Sequence, residues 1–312
     1  MSDQSQFQWD LVKRPNTFVV GAPKCGTSAM CDYLSQHPDV FMSKPKEPHY
    51  FVGSEMPGKA GVFAEAERYA QVFNGVEGRH RVIAEGSVWY LYSQTALRNI
   101  SEFQPDSRII AMLRRPDEMV YSMHNMAVVN FSENILNFDE AWKTALAGNN
   151  RASWSDLCDE RSKLDYHRIA MYAEQLERLY QYFPKQQVKL IFYDDFKLNT
   201  QDCFEELLNF LGISLFDANL SKINQSAVVG NRLLGKFLRK PPPAVMKASI
   251  IIKKLMRADK LGWRDQLESM NTRVQSREPI NPSIREDIIR HYRDDVIKLG
   301  KMCNRDLSHW LQ

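Results

Sequence analysis

The chain lacks several features that define protein classes. Its 312 residues include five cysteines, Cys25, Cys31, Cys158, Cys203 and Cys303. No CxxC pair occurs, and neither Cys nor His falls at a metal-ligand spacing. That excludes a disulfide framework and a zinc knuckle; reduced thiols and no metal are expected. No run approaches the roughly 18 apolar residues of a membrane span. The N-terminus, MSDQSQFQWDLVKRP, has no apolar segment of the secretory kind. A soluble, cytoplasmic chain is therefore expected. Charge of one sign is also missing: 41 Lys and Arg against 38 Asp and Glu leave +3, so a nucleic-acid partner is not expected. There is no internal repeat or low-complexity tract. With 44% apolar and 25% charged residues, the composition is that of a globular protein. The length suffices for one large α/β domain, read as residues 1–312.

Patterning places the elements. Thr17–Gly21 (TFVVG), Arg79–Glu85, Arg108–Leu113 (RIIAML) and Val188–Tyr193 read as strands. RIIAML is continuously apolar, as in a strand covered on both faces. Helices are predicted over about Thr27–Gln36, Thr95–Phe103, Asp165–Phe183, Gln201–Leu211 (stopped by Gly212) and Pro282–Met302. Another starts at Pro116, with Asp117 and Glu118 in its first turn. Between the first helix and the second strand lies HPDVFMSKPKEPHYF, held extended by Pro38, Pro45 and Pro48. Strands alternating with helices imply a three-layer α/β fold, a central parallel sheet flanked by helices, with a helical C-terminal extension.

The most informative residues are Gly21-Ala22-Pro23-Lys24-Cys25-Gly26-Thr27-Ser28, between the first strand and the first helix. A glycine-bearing turn there presents backbone N–H groups and a helix N-terminus to an anion. The spacing G-x4-G is P-loop-like, yet Thr27 stands where a Walker loop has its Lys, and the lysine is Lys24 inside the loop. The bland alternative is a tight turn that starts a helix.

The run VVGAPKCGTSAMCDYLSQHPDVFMSKPKEPHYF resembles the start of the sulfotransferases that use 3′-phosphoadenosine 5′-phosphosulfate (PAPS), chiefly their bacterial and carbohydrate branches. RIIAMLRRPDEMVYSMHNM is similar to that family's 3′-phosphate motif, with Arg114 and Ser122 at the matching spacing. VKLIFYDDFKLNTQDCFEELLNFLGI and CNRDLSHWL extend the likeness over Val19 to Leu311. The resemblance implies PAPS as co-substrate. It places the 5′-phosphate on Pro23, Lys24, Cys25, Gly26, Thr27 and Ser28, and the 3′-phosphate on Arg114 and Ser122. Gly230 and Arg232, in NQSAVVGNRLLGK, are the candidates for a late nucleotide-contact loop. Arg115 ranks below Arg114, because it falls at a variable family position.

Sulfuryl transfer needs a cation at the leaving phosphate, a base for the acceptor's proton and an in-line arrangement. Lys24 is the candidate cation. Glu47 matches the carbohydrate branch's base and is expected to act if burial raises its pKa. His49 competes, because its ordinary pKa lies near neutrality. Two departures stand out. Gly86 occupies a place where heparan sulfate enzymes carry a Lys, leaving Lys44 or Lys46 to supply the charge, and Met119 stands where some relatives have Arg. Trp89-Tyr90-Leu91-Tyr92 are candidates to line an acceptor pocket, or else core. The expected acceptor is a hydroxyl, less readily an amine, on a small molecule, carbohydrate or lipid.

Two rival readings remain. A P-loop kinase or NTPase requires a Lys before the loop's Thr or Ser, and a strand ending in a Mg-holding Asp. A non-catalytic module would use residues 244–258 (AVMKASIIIKKLMRA) as a membrane-surface or partner helix; this segment lies within Gly230–Lys260, which holds nine Lys or Arg and one Asp.

Overall fold

The structure, a computed structural model, describes residues 9, 13–56, 61–148, 155, 158, 161–220, 227–229, 272–274 and 278–312. In chain order its principal elements are β1 (Thr17–Gly21), α1 (Thr27–Leu34), β2 (Val40–Met42), a 3-10 segment (Tyr50–Glu55), α2 (Ala66–Gln71), β3 (Val82–Gly86), α3 (Ala96–Phe103) and β4 (Arg108–Leu113). There follow α4 (Pro116–Val129), α5 (Phe138–Leu146), α6 (Tyr172–Tyr182), β5 (Val188–Phe192), α7 (Tyr193–Leu198), α8 (Thr200–Leu211), β6 (Ala227–Val229), β7 (Thr272–Val274) and α9 (Pro282–Cys303).

Five strands form one parallel sheet in the order β2-β3-β1-β4-β5. β1 is central: Phe18 registers with Glu85 of β3 on one side and Ile109 of β4 on the other. All five residues of β1 are buried, as is β4 beyond its first residue. Such strands need helices over both faces, which accounts for their unbroken apolar character. The order also reverses at β1: the chain fills one side of it with β2 and β3, then the other with β4 and β5. Ligands of open parallel sheets bind outside the carboxyl ends of the strands at such a switch point. The loops leaving β1, β2 and β4 emerge at that edge and carry Lys24, Glu47 and Arg114, and Gly86 ends β3 there.

The helices have local causes. α4 starts with Pro116 at its first position, and Asp117 in its first turn pairs with Arg115 at 2.7 Å and Arg285 at 2.9 Å. α8 ends at Gly212, whose left-handed conformation (φ 65°) stops it. α9 is capped by Asn281, whose side chain accepts the Ser283 N–H at 3.1 Å. Its buried Ile284, Ile288, Tyr292, Val296 and Leu299 follow helical spacing. Far from being an appendage, α9 packs on α6 and α4.

Two expectations are corrected. Residues Val40–Met42, inside the proline-broken segment, form the edge strand β2 rather than loop. The helix expected over Asp165–Phe183 begins only at Tyr172. Upstream of it, Asp165 accepts the Tyr92 hydroxyl at 2.6 Å and the Tyr292 hydroxyl donates to the Tyr166 carbonyl; in its first turn, Asp295 accepts the Ala173 N–H at 3.1 Å. The Tyr166 carbonyl and the Ala173 N–H are groups that an earlier start would have used within the helix. Outside the main sheet, β6 and β7 pair antiparallel.

Candidate active site

β1 ends at Gly21, where a side chain is impossible: a Cβ would lie 2.8 Å from the Val88 carbonyl oxygen. The chain then turns through Lys24 (φ 64°) and Gly26 (φ 88°) before α1 starts at Thr27. Both turn residues are left-handed, an arrangement that gathers successive N–H groups into an anion-binding concavity. No side chain caps α1, so its first-turn amides are available to a ligand. At Gly26 a Cβ would approach the Phe196 and Tyr193 rings to 3.1–3.2 Å. The aromatics of α7 therefore close one side of the loop. Cys25 turns inward: its thiol donates to the Pro23 carbonyl at 3.4 Å and lies 3.8 Å from the Tyr172 hydroxyl. Burial pushes that thiol up to about 12, so only its main chain can face a ligand. Thr27 is buried and Ser28 exposed.

Arg114 leaves β4 and reaches this loop. Its Nη1 donates to the Lys24 carbonyl at 3.3 Å, and its guanidinium lies over the Tyr193 ring at 4.5 Å. Glu118 receives its Nε at 2.9 Å and Nη2 at 2.7 Å. The guanidinium is thus held on one edge by a carboxylate and on one face by an aromatic ring, with its third nitrogen on the loop carbonyl. Arg115 turns elsewhere, donating to Asp117 at 2.7 Å and to the Gln312 carbonyl at 3.1 Å. The neighbours are thus told apart: Arg114 belongs to the loop and Arg115 does not. Ser122 is buried in α4. Gly230, Arg232 and the segment 244–258 lie outside the described residues.

Glu47 and His49 lie on a short strap, residues 43–51, that follows β2. Both are left-handed, with φ of 63° and 52°. Non-glycine residues hold such backbones at a cost on the order of 1–3 kcal/mol each, and only where the surroundings over-determine them. Here the Glu47 N–H donates to the Gly86 carbonyl at 3.0 Å, and the His49 N–H to Ser87 Oγ at 3.0 Å. The Glu47 carboxylate receives the Lys46 ammonium at 3.0 Å and meets His49 Nε2 at 3.3 Å. Lys46 Nζ also donates to Ser28 Oγ at 3.0 Å. One lysine therefore ties the strap to the phosphate loop.

The electrostatics of Glu47 run against expectation. Burial does push its pKa up, but the hydrogen bond with His49 and the charge of Lys46 outweigh it and hold the carboxyl at about 2. The side chain is one-third exposed, so desolvation is incomplete. Ion pairing, rather than burial, sets its state.

Gly86 explains how Lys46 gets there. A Cβ at Gly86 would stand 2.8 Å from Cys31 Sγ and 3.4 Å from Lys46 Cε. The stem of Lys46 thus runs across the space that a side chain at 86 would fill. Of the four residues Trp89 to Tyr92 after β3, Trp89, Tyr90 and Leu91 are buried in the core and only Tyr92 is partly exposed, so the core alternative holds for the first three. Met119 is likewise core. Sequence reasoning missed Glu118, Tyr193 and Phe196 as supports of the loop. The acidic first turn of α4 and the aromatics spaced three apart in YDDF were the available signals.

The sequence profile of the sulfotransferase domain matches residues 14–240, well over half of the chain. The chain belongs to the sulfotransferase family. Among solved structures, the sulfotransferase from Alicyclobacillus acidocaldarius superposes with a TM-score of 0.70 at 25% identity, covering 96% of this chain and 100% of that one. The bifunctional heparan sulfate N-deacetylase/N-sulfotransferase 3 of Mus musculus is 25% identical over 201 residues, 64% of this chain and 22% of that protein. The heparan sulfate glucosamine 3-O-sulfotransferase 3B1 of Homo sapiens is 25% identical over 178 residues, 57% of this chain and 40% of that protein. The chain spans less than half the length of these curated relatives. Within this sulfotransferase, no cluster of three or more His, Cys, Asp or Glu could hold a metal among the described residues. No described helix is long and apolar enough to cross a membrane.

Proposed function

We propose that this sulfotransferase moves a sulfuryl group from PAPS to a hydroxyl, less readily an amine, of a small-molecule, carbohydrate or lipid acceptor. The observation that carries the reading is convergence. Arg114 and Lys46, with the strap bearing Glu47, reach the loop of Lys24 and Ser28 from positions 90 and 18 residues away in sequence.

The residues present suit such a nucleotide. The uncapped start of α1, the loop amides, Thr27 and Ser28 suit a 5′-phosphate, with Lys24 as the cation at its bridging oxygen. Arg114 and Ser122 suit a 3′-phosphate, assisted by Gly230 and Arg232. The donor supplies an activated sulfuryl group. The S–O bond to its phosphate breaks, a new S–O bond forms to the acceptor oxygen, and the acceptor's proton passes to Glu47. His49, in contact with Glu47, is the next carrier of that proton.

A carboxylate with a pKa of about 2 is always ready to accept but holds a proton weakly. Lys46 resolves this. An anionic sulfuryl group seated beside Ser28 competes for the Lys46 ammonium, and each hydrogen bond Lys46 withdraws from Glu47 raises that carboxylate's proton affinity. Beside the strap, a cavity of about 490 Å³ is lined by Lys44, Pro45, Phe63, Arg68, Gln71 and Val72. It is the candidate acceptor side, with Lys44 and Arg68 on its rim. A kinase reading is disfavoured, since Thr27 stands at the Walker lysine position and β4 runs into Arg114-Arg115 rather than an Asp.

The test is calorimetric binding of adenosine 3′,5′-bisphosphate (PAP) to wild type and Arg114→Ala, with ADP and Mg-ATP as controls. PAP should bind, ADP should bind less well, and the variant should lose roughly 10- to 100-fold in affinity, as expected for hydrogen bonds between charged groups. Preference for Mg-ATP and indifference to the 3′-phosphate would count for the kinase. A screen of hydroxyl and amine acceptors with radiolabelled PAPS then identifies the acceptor.

A further inference from the structure

Glu85 has no part in the chemistry above, yet it is a fully buried carboxyl in β3, one residue before Gly86. Three hydroxyls donate to it. Ser87 Oγ donates to Oε1; Tyr69 and Tyr90 donate to Oε2 at 2.8 and 3.1 Å. A buried carboxyl needs such partners, and these three satisfy it without any cation.

The same three side chains also grip the strap. Ser87 Oγ accepts the His49 N–H at 3.0 Å. The Tyr90 hydroxyl accepts the Phe51 N–H at 3.3 Å. The Tyr69 ring stacks on Tyr50, with centroids 4.2 Å apart and planes within 3°. Consecutive strap residues 49, 50 and 51 are each held by a different member of the Glu85 set. Chemistry explains why the acid belongs at the centre. A hydroxyl has one proton; for Ser87 and Tyr90 to present lone pairs to the strap amides, their protons must point elsewhere, and the two oxygens of Glu85 are the acceptors they meet.

We infer that Glu85 is a positioning residue of this sulfotransferase: through Ser87, Tyr90 and Tyr69 it fixes the left-handed strap that aims Glu47 and His49 at the phosphate loop. Among the described residues no member of the set hydrogen-bonds residues 22–28, so the role is separable from donor binding. The inference rests on the sulfotransferase reading.

The experiment uses Glu85→Gln, Ser87→Ala, Ser87→Thr and Tyr90→Phe in the full chain. It measures amide exchange at His49 and Phe51, PAP affinity, and turnover with PAPS and the acceptor chosen by the screen. Gln retains the shape but replaces one acceptor by an NH2, so a hydroxyl must turn its proton away. Ser87→Ala should speed exchange at His49 alone, Tyr90→Phe at Phe51 alone, and Glu85→Gln at both. PAP affinity should stay within about twofold while kcat falls by roughly 10- to 100-fold, the scale of misplacing a catalytic group. Ser87→Thr, which keeps the hydroxyl, should restore turnover. In a Glu47→Gln background Ser87→Ala should cost less than about twofold more, because both act through one base.

Wild-type turnover in Ser87→Ala and Glu85→Gln overturns the inference. So does a parallel loss of kcat, PAP affinity and Tm, which marks a merely structural role. Full additivity with Glu47→Gln overturns it as well. If Glu85→Gln does not fold, Ser87→Ala decides, since it removes a single oxygen. Failure of wild type to bind PAP overturns the sulfotransferase reading and this inference together, whereas normal PAP binding with unaltered turnover in the variants overturns this inference alone.

Discussion

The ammonium of Lys46 donates to the hydroxyl of Ser28 at 3.0 Å, joining the strap of Glu47 to the first turn of α1. That contact makes Lys46 the cation shared between the phosphate loop and Glu47, and it occupies the space Gly86 leaves open. Lys46→Met keeps the stem over Gly86 and removes only the charge. Turnover should fall by about 10²–10³, the scale of losing one preorganised charge donor, with PAP affinity retained. Removing a group that lowers the Glu47 pKa must raise it, so the acid limb of kcat/KM should move to higher pH. Unchanged turnover and an unchanged pH profile would show that Lys46 merely decorates the strap.

Glu47→Gln should spare PAP binding and lower kcat by roughly 10²–10⁴, the range for a general base. Because Glu47 is held at about 2, it is ionised in the free protein around neutral pH. The wild-type kcat/KM profile should therefore show no acid limb from this group above about pH 4. A limb that persists in Glu47→Gln belongs to another residue. Full activity of Glu47→Gln would shift the base assignment to His49.

Burial lifts the Glu85 carboxyl to about 7, against the opposing hydrogen bonds of Ser87, Tyr69 and Tyr90. Its unfolded value is about 4.3. A raised acid binds its proton more tightly in the folded state, so the stability it contributes is complete below about pH 4.3 and is lost as the pH rises to about 7. Glu85→Gln lacks that titration. Its Tm relative to wild type should improve by several degrees between those limits, then stay level above pH 7; a 1 kcal/mol change moves Tm by about 2–4 °C in a protein of this size. A difference that does not vary with pH would mean that Glu85 is not titrating in this range.

Gly26→Ala places a Cβ 3.1–3.2 Å from the Phe196 and Tyr193 rings at a φ of 88°. Both the clash and the backbone oppose it. The variant should lose at least about 1 kcal/mol of stability. Its loss of PAP affinity should exceed that of a conservative change outside the loop, such as Val40→Ile. Unimpaired PAP binding would separate the loop from the nucleotide.

The sequence by itself determined the parts whose causes are local. TFVVG and RIIAML read as buried strands because both faces of a parallel sheet are covered. The turn through Lys24 and Gly26 reads as a phosphate loop because it joins a strand to a helix. Arg114 stood out through its resemblance, with Ser122 eight residues on, to the 3′-phosphate motif of the sulfotransferases. Tertiary structure decided the rest. The three-residue β2 is too short to show a period and gains its identity only by pairing with β3. The start of α6 was set by Tyr92, Tyr292 and Asp295 reaching it and its approach from other elements. The low pKa of Glu47 reversed the expectation from burial, because Lys46 and His49 both reach its carboxylate. Glu85 looked like one polar residue in a strand pattern. Its partners Tyr69, Ser87 and Tyr90 lie before and after it in sequence, and only folding brings three hydroxyls to one carboxyl. Periodicity reports which residues are buried; which buried polar groups meet, and how they set one another's protons, depends on contacts made across the sheet.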